Sequence, residues 1–126
     1  MKNIIFSLVL FLIVTTFILF SNSEIQTLCA DIIDKSNKLE ETLDKKDFET
    51  AYTYSLDLLD LLKSSAFIYT IYLNHLDIDS IVDESVKLTV LIKSEDLSSS
   101  LASLHLIKYN AERLMNLQKV TIENIL

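Results

Sequence analysis

The chain of 126 residues contains no glycine and no proline. Phosphate-cradling loops, dinucleotide-binding turns and nucleophile elbows all require glycine, either for a positive φ or for close approach of the backbone to a ligand. These motifs are therefore excluded, and we expect no enzymatic activity. A chain that lacks both residues and is rich in Leu, Ile, Lys, Glu, Asp and Ser is predicted to form a few long helices joined by short polar turns.

Cysteine and basic side chains are also scarce. The single cysteine, Cys29, cannot form an internal disulfide, so no crosslink within the chain stabilises the fold. Beyond residue 23 the chain carries 18 acidic and 10 basic side chains, which gives a net charge near −8. Such an acidic surface repels nucleic acid and anionic lipid headgroups. We therefore expect protein partners or cations, and no nucleic acid.

The most extended feature that is present is an uncharged segment of 21 residues, from Asn3 to Ser23. Its apolar centre, residues 4–20, would form a helix roughly 25 Å long, which is close to the length needed to cross a bilayer core of about 30 Å. Residues 1–23 are therefore predicted to be an N-terminal membrane anchor. Lys2 is the only charged side chain before the segment, which favours a cytoplasmic amino terminus and an extracytoplasmic domain at residues 24–126.

A cleaved signal peptide is the alternative interpretation of the same segment. Ser21-Asn22-Ser23 supplies small residues at a plausible cleavage site. The apolar run is longer than the roughly 7 to 15 residues usual for a signal sequence, and the bulky Phe20 directly precedes the site. These two features favour an uncleaved anchor in the cell membrane.

Apolar residues at helical spacing predict an all-α domain of about four helices, at residues 25–43, 48–73, 81–92 and 97–125. The second helix is apolar on so much of its circumference that we expect it to be the central one. The predicted core positions are Ile25, Leu28, Ile32, Leu39, Leu43, Phe48, Tyr52, Leu56, Leu59, Leu62, Ala66, Tyr69, Leu73, Ile81, Val82, Val86, Leu88, Leu91, Ile92, Leu97, Leu101, Leu104, Ile107, Ala111, Leu114, Leu117, Ile122 and Ile125.

Two helix starts have similar sequences at a spacing of 49 residues. They are Asp47-Phe48-x-x-Ala51 and Asp96-Leu97-x-x-Ser100, in which the acidic residue is suited to cap the helix. The similarity predicts two helical hairpins packed together. The alternative is that any helix start beginning with Asp has this appearance. Between them, residues 74–79 are predicted to be a break, with Asp77 or Asp79 as the cap of the next helix.

No constellation of residues points to a catalytic or metal site. His75 and His105 each stand alone; His75 is expected near a helix C-terminus and His105 at the edge of the core. Asp77 and Asp79 suggest a calcium loop, but the loop lacks the glycine and the bidentate Glu that it requires. We therefore predict no metal ligand, no cofactor and no catalytic residue.

Three further groups are interpreted as structural or as open alternatives. Asp57 and Asp60 share a helix face and are expected to be solvated, and Cys29 is expected to be a small packed side chain. The tyrosines of the second helix, Tyr52, Tyr69 and Tyr72, could instead line a cavity for a small molecule. That arrangement would make the domain a small-molecule-binding or sensor module.

The order of features resembles the family known as domain of unknown function 4363. The resemblance rests on a Met-Lys-Asn start before an apolar span, on Asp47-Phe48-x-x-Ala51, on Asn74-His75 with Ile78-Asp79 and Ile81, and on Ser100-Leu101 with Leu104. It implies a short, single-span helical protein of spore-forming Gram-positive bacteria with an accessory role at the cell envelope, beside another membrane protein. The positions that carry over, Asp47, Phe48, Ala51, Asn74 and His75, are structural, and the family supplies no catalytic residue.

Overall fold

The chain forms four α-helices, and the residues that the structure describes contain no β-strand. This computed structural model describes the backbone of residues 1–69 and 75–125, without the side chains of residues 21, 22, 66–69, 75–77, 118, 120–122, 124 and 125. The helices are α1 (Lys2–Asp44), α2 (Phe48–Tyr69), α3 (His75–Lys93) and α4 (Leu97–Ile125). The predicted all-α class is confirmed over the described ranges.

The first helix, α1, is 43 residues long and joins the apolar segment to the rest of the protein without a break. At about 1.5 Å per residue it extends roughly 65 Å. Ser21, Asn22 and Ser23 lie within it, because none of these residues ends a helix as proline would. The four helical segments of the domain therefore include the C-terminal half of α1, and the apolar segment is not a separate helix.

The connection between α1 and α2 is a Schellman-type helix end. Lys46 has a φ of 58°, and its backbone N–H donates to the carbonyl of Leu43 at 2.9 Å, while Asp47 N–H donates to Thr42 at 3.2 Å. The Asp47 carboxylate then accepts a hydrogen bond from the N–H of Thr50 at 3.2 Å. Asp47 is therefore the cap of α2, as the sequence predicts.

The connection between α3 and α4 repeats this geometry 49 residues later. Glu95 has a φ of 60°, its N–H donates to Ile92 at 2.9 Å, and Asp96 N–H donates to Leu91 at 3.1 Å. The Asp96 carboxylate accepts from the N–H of Ser99 at 3.1 Å. A chain without glycine thus uses positive φ twice, at one Lys and one Glu, where the left-handed conformation costs roughly 1–2 kcal/mol.

The four helices contact one another in a closed ring. α1 packs against α2 and α4, and α3 packs against the same two helices; over the described residues, no Cα atoms of α1 and α3, or of α2 and α4, lie within 8 Å of each other. Each helix therefore has two neighbours. The prediction that α2 is a central helix, covered on several sides, is wrong, because the core lies between the four helices and not around any one of them.

The core is formed by one stripe from each helix. The described buried apolar residues are Ile25, Leu28, Cys29, Ile32, Leu39, Leu43, Ala51, Leu58, Leu62, Ile78, Ile81, Leu88, Ile92, Leu104, Ile107, Ala111 and Leu114, joined by the buried polar residues Ser36, Ser55, Ser85, Thr89, Ser100 and Ser103. The predicted stripe of α1 is confirmed in full. Phe48, Tyr52, Val82, Leu97 and Leu101 are partly buried and pack against this core.

Buried positions recur at the same spacing of 49 residues. The pairs are Cys29 and Ile78, Ile32 and Ile81, Ser36 and Ser85, Leu39 and Leu88, Leu43 and Ile92, Ala51 and Ser100, Ser55 and Leu104, Leu58 and Ile107, and Leu62 and Ala111. The sequence Ile-x-Asp-x-Ser-x-Lys-Leu occurs at both 32–39 and 81–88. The similarity noted at the helix starts therefore extends through the turns and the core, which an acidic cap alone does not explain.

Three predicted core positions are exposed, namely Leu56, Val86 and Leu117. In α2 the buried stripe runs through Ala51, Ser55, Leu58 and Leu62, so the side of the helix that faces the core carries small residues. Small side chains allow close helix packing but contribute little to a hydrophobic pattern. The prediction therefore placed the core-facing side of α2 too close to Leu56. The positions predicted at Ala66, Tyr69, Leu73, Ile122 and Ile125 lie outside the described side chains.

The start of α3 also differs from the prediction. α3 begins at His75, so residues 75–79 are helical and do not form a break. His75 therefore lies at a helix N-terminus, and its predicted place near a C-terminus is wrong. Asp77 and Asp79 lie inside the first turns of α3 and are not its cap. Asn74 lies outside the described residues, so the cap itself is not identified.

Candidate functional site

The apolar N-terminal half of α1 is the most unusual surface of the protein. From Ile4 to Phe20 its large side chains are exposed, apart from the partly exposed Ile18, and none is buried inside the bundle. It belongs to the one described helix that is long and apolar enough to cross a membrane, judged by length and composition; a signal sequence would satisfy the same criteria. Thr16 Oγ1 donates to the carbonyl of Leu12 at 2.8 Å, so this hydroxyl is satisfied within the helix.

The junction between this segment and the bundle is held by α4. Ile25 is the first buried residue of α1, so the change from exposed apolar to packed apolar surface takes place within about one helical turn. Gln26 Nε2 donates to the backbone carbonyl of Met115 at 2.9 Å. This bond holds the C-terminal part of α4 beside α1, close to where the buried part of α1 begins.

A charged cluster connects α1 and α4 further along the bundle. Lys108 Nζ lies 3.1 Å from Oε2 of Glu40, and His105 Nε2 lies 3.6 Å from Oε1 of the same carboxylate. His105 is exposed, so the prediction of a histidine at the buried edge of the core is wrong. The residue stands on the side of α4 that faces Glu40. The cluster links α4 to α1 through a single carboxylate.

Two shallow surface grooves are lined by several of the remaining polar side chains. The groove between α1 and α2, about 390 Å³, is lined by Asp31, Asp34, Lys35, Lys38, Tyr54 and Asp57. The groove between α3 and α4, about 310 Å³, contains Ser103, whose hydroxyl lies 2.9 Å from the carboxylate of Glu84. The predicted solvation of Asp57 and Asp60 is confirmed, because both are exposed. In the second groove the Ser103 hydroxyl donates to Glu84, which links α4 to α3.

The only thiol lies in the core. Cys29 is fully buried in the first hydrophobic layer of the bundle, so the prediction of a small packed side chain is confirmed. Burial disfavours the thiolate and raises the pKa of Cys29 from 9.0 to about 11. A thiol in this state is protonated at neutral pH and is a poor nucleophile.

Of the three tyrosines predicted as an alternative to line a cavity, the structure describes the side chain of Tyr52. Tyr52 is half-buried against the core, and Lys93 Nζ lies 5.8 Å from the centre of its ring, where a cation–π interaction links α2 to α3. The side chains of Tyr69 and Tyr72 lie outside the described residues. The groove between α1 and α2 is lined by one tyrosine, Tyr54, and the lining of the groove between α3 and α4 includes none.

Metal-binding geometry is absent from the described part of the chain. No group of three or more His, Cys, Asp or Glu side chains there is close enough to hold a metal ion. Asp83 is exposed, while Glu84 pairs with Ser103 and lies 3.8 Å from Lys87. The side chains of His75 and Asp77 lie outside the described residues.

Sequence reasoning missed the outward side of α4. Leu106 and Tyr109 are exposed there, although neither belongs to the buried stripe. The signal was available, because residues 102, 106, 109, 113 and 116 repeat with the alternating spacing of four and three that is typical of a coiled-coil seam. It was hidden by the stronger inner stripe of the same helix.

Comparison with known families gives one match. A family model described as a domain of unknown function, DUF4363, matches residues 19–125, which includes the end of the apolar segment and nearly all of the bundle. No match was found among curated proteins or among solved structures. The resemblance inferred from the caps and core positions is thus confirmed, and the chain belongs to the family of domain of unknown function 4363.

Proposed function

We propose that the protein is a non-enzymatic interaction or scaffold module of the cell envelope, held in the membrane by the N-terminal part of α1. The observation that carries the proposal is the continuity of α1. The helix has exposed apolar side chains over residues 4–20 and buried ones from Ile25 to Leu43, with no break between the two parts. An unbroken helix couples the bundle rigidly to the segment that would enter the bilayer.

The dimensions of α1 support an upright bundle at the membrane surface. The apolar part accounts for roughly 25 Å, and the packed part, residues 25–44, for roughly 30 Å. The second part runs antiparallel to α2, so the turns at Lys46 and Glu95 are at the end of the bundle that is far from the bilayer. The C-terminal part of α2 and the first turns of α3 would then be near the membrane.

The charge distribution supports an extracytoplasmic bundle. Lys2 is the only charged side chain before the apolar segment, and the first charged side chains after it, Glu24 and Asp31, are acidic. Cytoplasmic flanks are normally enriched in Lys and Arg, so the side with Lys2 is the cytoplasmic one. The acidic bundle also disfavours direct contact with anionic lipid headgroups.

The positions of the polar residues favour an interaction role over catalysis. The described charged side chains link helices, as Glu40 and Lys108 do, or lie on exposed faces, and Cys29 is sealed in the core. We propose that the bundle is built from two similar helical hairpins, α1–α2 and α3–α4, and presents their outer faces to another membrane or envelope protein.

The anchor is tested by placing charges in the apolar segment. Leu10→Lys combined with Ile13→Lys would disfavour membrane insertion by about 2.5–3.5 kcal/mol per substitution. These side chains are exposed and make no core contact, so the bundle is expected to fold in the variant. The full-length protein should resist alkaline extraction from membranes at its intact mass, and the variant should be extracted.

Ser23→Lys is the matched control, because it adds a charge at an exposed position beyond the apolar centre. The control should stay with the membrane. Recovery of a soluble protein that lacks residues 1–23 would contradict the anchor and identify a signal peptide. The interaction role predicts a partner that is crosslinked to the intact protein in membranes but not to the lysine variant; absence of any crosslinked envelope protein would contradict that role.

A further inference from the structure

The outward side of α4 carries a second row of residues besides the one that packs in the core. We define the outer row of α4 as Ala102, Leu106, Tyr109, Arg113 and Asn116. Successive members are four and three residues apart, so they lie on one face of the helix. Leu106 and Tyr109 are exposed by 45% and 60%, whereas the inner stripe at Leu104, Ile107 and Ala111 is fully buried.

The 49-residue repeat supplies an internal comparison for this row. The first four members correspond to Thr53, Asp57, Asp60 and Ser64 on α2, and all four are exposed; the fifth corresponds to Phe67, whose side chain lies outside the described residues. The same fold therefore accepts hydroxyl and carboxylate side chains at these outward positions. Leu106 and Tyr109 are not required by the packing of the bundle, and exposing them to water brings no structural gain.

The two pairs of helices also differ in the charge of their exposed sides. On α1 and α2 the exposed charged residues beyond the apolar segment are Glu24, Asp31, Asp34, Lys38, Glu41, Asp44, Glu49, Asp57, Asp60 and Lys63. Among the described side chains of α3 and α4 they are Asp79, Asp83, Lys87, Lys93, Glu112, Arg113, Lys119 and Glu123, which are four acidic and four basic residues. Two copies of the protein can approach through α3 and α4 without bringing acidic surfaces together, and they cannot do so through α1 and α2.

We infer that the outer row of α4 is a self-association seam, in which α4 of a second copy packs in parallel. The inference rests on the proposed anchoring, because two copies in the same membrane have their bundles pointing the same way and their α4 helices parallel. A two-fold axis along the membrane normal then places Leu106 against Leu106 and Tyr109 against Tyr109 of the two copies. Arg113 lies where Glu112 of the other copy can pair with it, since these are neighbouring positions of a parallel seam.

The seam is tested by disulfide crosslinking of the full-length protein in native membranes. Tyr109→Cys would bring two thiols together at an inner position of the seam, where Cα atoms are close enough for a disulfide. Under mild oxidation we expect a species of twice the monomer mass on a non-reducing gel. Asp60→Cys is the matched control, because it is exposed and equivalent to Tyr109 in the repeat, and it should remain monomeric.

The unsubstituted protein checks that the buried Cys29 does not crosslink by itself. Equal crosslinking of the two variants would show random collisions and overturn the inference, as would a Tyr109→Cys adduct of any mass other than twice the monomer. If the variant is anchored but not crosslinked, the seam is wrong and the anchor stands. If it crosslinks but is not held in the membrane, the proposed function is wrong and the seam stands.

Tyr109→Asp tests the seam without introducing a thiol. The substitution places at Tyr109 the residue type found at the equivalent Asp60, so helical content and thermal midpoint should be unchanged. That expectation for the thermal midpoint applies to the monomer, compared at a protein concentration low enough to dissociate the dimer. In detergent at higher concentration, the unsubstituted protein should have twice the monomer mass by light scattering, and the variant should lose that dimer. An unchanged dimer in the folded variant would contradict a seam along the outer row of α4.

Discussion

Lys46 and Glu95 hold the same left-handed backbone conformation 49 residues apart, with φ values of 58° and 60°. Each is the residue that ends one helix and precedes the Asp that caps the next. Glycine usually fills this position, because it has no Cβ to clash with the backbone. A chain without glycine therefore places a strained residue at both of these turns.

Glycine at these two positions should stabilise the protein. We expect Lys46→Gly or Glu95→Gly to raise the free energy of unfolding by about 0.5–1 kcal/mol, because relief of the left-handed strain exceeds the added entropy of the unfolded chain. Urea unfolding of the protein in detergent, followed by circular dichroism, measures the change. Lys45→Gly is the control, since Lys45 has a φ of −79° and gains nothing from glycine. A loss of stability in both turn variants would show that the turns are not strained.

The corrected orientation of α2 predicts unequal effects for two nearby leucines. Leu58 is fully buried and Leu56 is partly exposed on the outside of the helix. Leu58→Ala should cost about 2–5 kcal/mol of unfolding free energy, because it leaves a cavity in the core, and Leu56→Ala less than about 1 kcal/mol. The same urea titration compares the two. A larger effect at Leu56 would restore the orientation predicted from the sequence.

The raised pKa of Cys29 predicts a loss of stability at high pH. The unfolded chain releases the thiol proton near the ordinary pKa of 9.0, and the folded protein holds it to about 11. The unfolded state therefore binds fewer protons between these values, and the unfolding free energy falls as pH rises from 9 toward 11. The total loss should be about 2–3 kcal/mol.

Cys29→Ala isolates this contribution from the lysines, which titrate in the same range. The variant will be less stable at neutral pH because the core loses a side chain, but the difference from the unsubstituted protein should shrink between pH 9 and 11. A difference that stays constant with pH would mean that the thiol is not desolvated.

The sequence predicted the all-α class and the turns at Asp47 and Asp96 because these depend on local chemistry, whereas the start of α3 was placed too late. Periodic apolar residues define the helices, and Asp47 and Asp96 cap them where predicted. The rotation of α2 was missed because Ala51 and Ser55 face the core, and small or polar side chains are weak signals of burial. Close packing of helices requires such small residues. The most hydrophobic face of α2 is therefore not the face that packs most closely in the core.

The candidate surfaces were harder to predict than the fold. The outer row of α4 has the spacing of a coiled-coil seam. That its apolar residues are not needed for the fold follows only from the comparison with α2, where the equivalent positions are the exposed Asp57 and Asp60. Similarly, the apolar segment was evident in the sequence, and the structure of α1 shows where its exposed side chains give way to buried ones, at Ile25. Both the exposed side of α4 and the first buried position of α1 depend on how helices that are far apart in the sequence pack together.

The extracytoplasmic placement of an anchored bundle is tested most directly by thiol labelling of intact cells. Ser98→Cys places a thiol at an exposed position on the end of the bundle far from the proposed membrane, while Cys29 stays buried and unreactive. A membrane-impermeant maleimide should label the full-length variant in intact cells and should not label the unsubstituted protein. Labelling that appears only after the cells are lysed would contradict this placement and put the bundle in the cytoplasm.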